Sequence, residues 1–149
     1  MFRLFGTLLL GAIPIFFAVN SMASSFVEEA VQIRIGMFKS SGANIKRLSK
    51  LIRSGDFSAS VELVDFHVKW SEDMPALFPA GSEASSSNVS DASSDIWRDA
   101  IGFKKRVDQY SFSAKELREA LKSENISSIN ENFESLVESC KRCHRQYRN

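Results

Sequence analysis

The chain has 149 residues, a size for one domain, with 19 basic against 18 acidic side chains and 44% hydrophobic residues. Near-neutral charge with both signs mixed along the chain excludes the basic footprint of a nucleic-acid binder. Only two cysteines exist, so a multiply bridged scaffold is excluded as well.

The first 23 residues read as a cleaved export signal. Arg3 supplies the positive start, an apolar run follows from Leu4 to Val19, and Ser21-Met22-Ala23 offers small residues for cleavage. The run is short for a membrane span and lacks a stop-transfer flank. The expected mature domain is residues 24–149 in the periplasm; loss of Arg3 leaves 18 charges of each sign.

Four amphipathic segments follow. In the first, positions 27, 31, 34, 38, 41, 45, 48 and 52 alternate steps of four and three and hold Val, Val, Arg, Phe, Ser, Ile, Leu and Ile. Ser54-Gly55-Asp56 supplies helix stop and start signals. The second segment puts Phe57, Val61, Val64 and Val68 on one line, with Leu63, Phe66, Trp70 and Met74 beside it. Pro75 and Pro79 forbid continuation. The Ser-rich stretch from Gly81 to Ser94 reads as an exposed loop.

The third segment starts near Asp95 and carries Ile96, Ala100, Phe103, Val107, Tyr110, Ala114, Leu117 and Leu121. The fourth carries Ile126, Ile129, Phe133, Leu136, Cys140, Cys143 and Tyr147. No segment alternates with a period of two. Seams of this length bury best against one another at shallow angles, which predicts an all-α, antiparallel up-down four-helix bundle.

The chemistry is concentrated in Cys140-Lys141-Arg142-Cys143-His144. Cys-x-x-Cys-His is the attachment signature of c-type haem: the thiols add across the porphyrin vinyl groups and the adjacent imidazole reaches the iron. A disulfide here would close too small a loop to gain much from chain entropy. A thioredoxin-like reading wants a βαβ context that the sequence lacks. Cys140 and Cys143 lie on the fourth seam and His144 one turn after Cys140, so the covalent haem c is expected in the bundle core, one per chain.

Other residues follow from the seams. Arg34 occupies a core position, where a bare guanidinium is costly, and a haem propionate is the partner it suits. Phe38, one turn on, is expected across from the iron and cannot ligate it. Met37 beside it would give a Met/His iron of the electron-transfer type. His67 falls outside the apolar lines and reads as a surface or boundary histidine. Arg148 serves as a helix-end cation or a second propionate contact.

With these residues in place, the chain resembles the cytochrome c′ family over essentially all of its mature length. The end Ser139 to Arg148 is similar to that family's haem-binding terminus. Arg34 falls at its characteristic arginine and Phe38 at its non-ligating distal residue, while Met74 to Ser82 is similar to its loop after the second helix. Asp95-Ile96-Trp97 resembles the start of its third helix, with Asp91 at a haem-contacting position.

The resemblance implies five-coordinate iron on His144, binding of the diatomic gases NO and CO, NO carriage or scavenging rather than enzymatic turnover, and a homodimer. Phe38 is bulkier than the commoner leucine, and Ile35 stands where relatives have a polar contact, so that contact is not carried over. An electron carrier with a redox partner protein is the alternative. An apolar lining would offer bound gas no hydrogen-bond donor.

Overall fold

The computed structural model describes residues 16–86 and 88–149, with side chains from residue 24 onward. The expected export signal, residues 1–23, therefore falls wholly outside the described side chains. Among the described residues no helix is long and apolar enough to cross a membrane.

Among the described residues, five helices account for most of the length: α1 (Phe16–Ser54), α2 (Phe57–Asp73), the single turn α3 (Asp95–Arg98), α4 (Ala100–Lys122) and α5 (Ile126–Tyr147). A 3-10 turn, Met74–Leu77, follows α2 with Pro75 in its first positions, where a missing N–H costs nothing. α1, α2, α4 and α5 form the bundle.

The two tight connections use one device. After α1, Gly55 N donates to Ile52 O at 3.1 Å and Asp56 N to Leu51 O at 3.0 Å, with Gly55 at φ 76°. After α4, Glu124 N donates to Leu121 O and Asn125 N to Ala120 O, with Glu124 at φ 53°. These are Schellman caps. Asp56 and Asn125 then cap the next helices, accepting from Ala59 N and Ser128 N at 3.1 Å each. Turns this short force neighbouring helices antiparallel.

The third segment departs from expectation. It is broken at Asp99, which has φ −121° and ψ 57°. The Asp99 carboxylate accepts from Gly102 N at 3.0 Å and from the Tyr147 hydroxyl at 2.9 Å, so it starts α4 and anchors the end of α5 together.

The stretch 81–94 also departs from a freely exposed loop, because Ser82, Ser90 and Ala92 are buried. One side is held by Arg34 and the other by the C-terminus. Ser93 N donates to Tyr147 O, Asn149 N to Asp91 O, and Arg148 pairs with Asp91 at 2.9 Å.

Packing is uneven around the bundle. α4 lies against both α2 and α5, whereas α1 rests on α2 and the 3-10 turn and scarcely meets α5. A gap is left between α1 and α5.

Candidate haem site

The gap holds two cavities of about 720 and 270 Å³. Ligand pockets are typically ~300–1,000 Å³. The two share Phe38 and Gly42 of α1, Met74 of the 3-10 turn, and Cys143 and His144 of α5. They are therefore two chambers of one slot. A Cβ placed on Gly42 would meet nothing within 4 Å, so this stretch of α1 leaves the slot open.

Cys140 and Cys143 are both free thiols. The Cys140 thiol donates to Leu136 O at 3.4 Å. Burial pushes both thiols up, Cys143 to about 11 with the neighbouring Cys140 adding to the effect and Arg106 opposing it. Both are thus protonated at neutral pH, the form that carries the hydrogen a vinyl addition requires. His144 is exposed to the slot. Its pKa is held below the usual value, first by partial burial and then by the Arg148 charge. A neutral imidazole keeps a lone pair for a metal.

The Phe38 ring stands edge-on to the His144 ring, with centroids 6.0 Å apart. Met37 packs against the core and borders neither chamber. Asp91 and Arg148, both expected at the haem, border the larger chamber as an ion pair with each other.

Arg34 is 3% exposed on the larger chamber's wall. It donates to Leu77 O at 3.0 Å and Ser82 Oγ at 2.6 Å, and also to Ser82 O and Ser90 Oγ. Its guanidinium carbon lies 4.6 Å from the Phe78 ring centroid. Every one of these partners is neutral. Burial lowers its pKa, but guanidinium remains charged in proteins.

His67 corrects the sequence reading. It is 0% exposed, its Nδ1 lies 2.7 Å from the Tyr110 hydroxyl and 3.5 Å from Ser41 Oγ, and burial lowers its pKa to about 4. It borders neither chamber. Sequence reasoning also missed Trp70, Tyr110 and Met74 as slot residues. Each reads as ordinary core, and only the meeting of separate helices puts them beside the cysteines.

The family model for cytochrome c′ matches residues 29–148. The chain belongs to the cytochrome c′ family. No curated protein matches it in sequence. Cytochrome c′ from Rubrivivax gelatinosus is similar in structure, at 20% identity and TM-score 0.73, covering 83% of this chain and 97% of that one. Cytochrome c′ from Thermochromatium tepidum is similar at 17% identity and TM-score 0.73, covering 82% and 95%. A nitric oxide complex of a variant cytochrome c′ from Alcaligenes xylosoxidans is similar at 24% identity and TM-score 0.72, covering 83% and 95%.

The family's cofactor is a covalently attached haem c, and the slot fits it. A gap between two helices, apolar for most of its wall, has a thiol pair and an imidazole on one side and a buried, uncompensated cation on the other.

Proposed function

We propose that the chain is an exported gas-binding haem protein in which Cys140 and Cys143 hold the haem and His144 binds its iron. The observation that carries this reading is Phe38, a hydrocarbon ring facing His144 across the slot. Haem bound here supplies an iron with one open coordination position, able to take NO or CO. The residues of the chain do the rest. The two thiols would fix the porphyrin's orientation through thioether bonds. His144 would supply the iron's protein ligand, and Phe38, the hydrocarbon ring facing it, would deny water and bulky ligands a polar seat.

A haem propionate would give Arg34 the carboxylate partner that its neutral acceptors do not supply. Arg148, which borders the larger chamber paired to Asp91, would exchange that carboxylate for a second propionate. Binding and carriage of gas rather than turnover is the activity we propose. The nitric oxide complex of the similar Alcaligenes protein supports the ligand class.

We further propose a homodimer. Phe26 and Ile33 are exposed on α1, and a similar structure with 16% identity and TM-score 0.75 is a cytochrome c′ with ligand-controlled dimer dissociation. A second reading, an electron carrier serving a redox partner, is supported by one observation: buried Met74 borders both chambers, which makes its thioether, rather than that of Met37, the candidate sixth ligand.

The absorption spectrum of the exported protein, reduced and oxidised, separates the two. A high-spin spectrum that shifts on adding CO or NO is expected. A low-spin spectrum with a methionine–iron charge-transfer band and no gas response would establish the electron carrier.

A further inference from the structure

The near-even charge of the whole chain hides an uneven distribution. Between Glu29 and Asp56 the sequence has no acidic residue, while Arg34, Lys39, Lys46, Arg47, Lys50 and Arg53 all fall there. Lys39, Lys46, Lys50 and Arg53 follow at steps of seven, four and three, so they share a face of α1. All four are exposed. That face borders the slot, because Lys39 lines the larger chamber and Lys46 the smaller. The stripe runs about 21 Å along the helix at ~1.5 Å per residue.

Cations on the far side of the bundle are matched. On α2 and α4, Lys69, Lys104, Lys115, Arg118 and Lys122 each pair with a carboxylate. Among the described residues no cation of the α1 stripe forms an ion pair; Arg53 donates to Ser49 Oγ. Across the slot the surplus continues. Lys141, Arg142 and Arg145 of α5 share one carboxylate, Glu138, and Arg106 donates to the amide oxygens of Gln109 and Gln146. Lys141 and Arg106 both line the smaller chamber. Among the described residues bordering either chamber, Asp91 is the only carboxylate, and Arg148 holds it. Propionates drawn to Arg34 and Arg148 would leave the stripe as it is.

We propose that the cationic rim of the slot, led by Lys39, Lys46 and Lys50, docks the acidic face of a protein that donates single electrons to the haem. A small anion needs donors that converge on it, and these are strung along a helix. An interfacial helix sets basic residues beside exposed apolar ones, whereas Phe26 and Ile33, the exposed large apolar side chains of α1, precede the stripe. Two-fold pairing of this chain through the stripe would set cations against cations. An acidic protein face suits both the charge and the length, since an interface of ~800 Å² per partner is of similar span. The partner gives up one electron and ferric iron becomes ferrous, with no bond broken and no proton moved. Ferrous iron is the state that takes CO, so a gas binder needs such a donor.

The inference rests on the reading of the slot as a haem site, and the test separates the two. Ferric haem-loaded protein is mixed anaerobically in a stopped-flow instrument with reduced plant-type ferredoxin, a small acidic one-electron protein. The second-order rate should fall as salt rises, as steering between opposite charges does. Lys39→Glu/Lys46→Glu/Lys50→Glu should slow it about tenfold or more at low salt, while Lys69→Glu/Lys104→Glu/Lys115→Glu, on the far face, should leave it unchanged. Methyl viologen radical cation, a small cationic reductant, controls for a shifted potential. Docking predicts that the first triple slows ferredoxin and speeds the viologen; slowing of both overturns it. A ferredoxin rate indifferent to salt, or equal loss in the two triples, also overturns it. Binding to phosphatidylglycerol vesicles that the first triple abolishes, with ferredoxin reduction unmoved, assigns the stripe to a membrane and overturns it too. An exported chain that takes up no haem overturns the site reading itself, whereas loaded protein whose reduction ignores the stripe overturns the inference alone.

Discussion

At the scale of single residues, His67 shows how burial turns a polar side chain into a pH dependence. Its folded pKa is about 4, against about 6.5 when exposed. Between these values the unfolded chain binds a proton that the folded chain refuses. Stability is therefore fully present above pH ~6.5 and falls as pH drops toward ~4, by up to about 3 kcal/mol from this group. Urea midpoints at pH 7 and pH 4.5 should differ more in wild type than in His67→Gln; parallel behaviour would show that His67 is protonated inside the fold. The histidine was not legible as buried, and the reason is physical. α2 packs against both α1 and α4, so its buried arc takes in Ser60, His67, Trp70 and Ser71 as well as Val64 and Val68. A single apolar line describes only one of those contacts. Arg34 was legible as a core cation, but its neutral clamp on Ser82 and Ser90 was not, because those serines lie in a segment with no periodicity.

At the scale of elements, helix content and most boundaries follow from local rules, and one junction departs from the best local choice. Gly55 and Glu124 occupy the same left-handed position in two equivalent caps. Glycine adopts it freely, whereas a side chain there costs about 1–2 kcal/mol. Glu124→Gly is expected to raise stability by about 1 kcal/mol, and Gly55→Ala to lower it by a similar amount, through backbone strain alone. A Cβ at Gly55 meets nothing within 4 Å, so no clash confuses that comparison. Urea unfolding of the haem-loaded variants checks both; a Glu124→Gly midpoint at or below wild type would refute the argument. The break at Asp99 escaped the periodic reading for a related reason. Ile96 and Phe103 are buried on either side of it, so the seam runs on across the break, although Ala100 between them is exposed. Asp99 followed by Gly102 carried the only local sign, and its hydroxyl partner, Tyr147, lies on another helix.

At the scale of the whole molecule, the fold is a bundle left open on one side for its cofactor. The Cys140–His144 motif was readable because attachment chemistry is local in sequence. The slot was not, because it is a property of which helices fail to touch. That asymmetry has a consequence for dynamics. α4 is held between α2 and α5, whereas α1 is held by α2, the 3-10 turn and the Arg34 clamp, with its face around Phe38 turned to the slot. Haem tethered to α5 and packed against α1 would bridge the two helices. Local opening follows local packing. In Cys140→Ser/Cys143→Ser, which cannot form the thioethers, amide hydrogen exchange should therefore quicken most in α1 and the 81–94 segment. α4 should stay close to the protection set by global unfolding. Exchange mass spectrometry on both proteins measures this directly. Uniform quickening across all the helices would mean that the haem holds the bundle together as a whole; acceleration confined to α5 would mean that α1 needs no cofactor to stay in place.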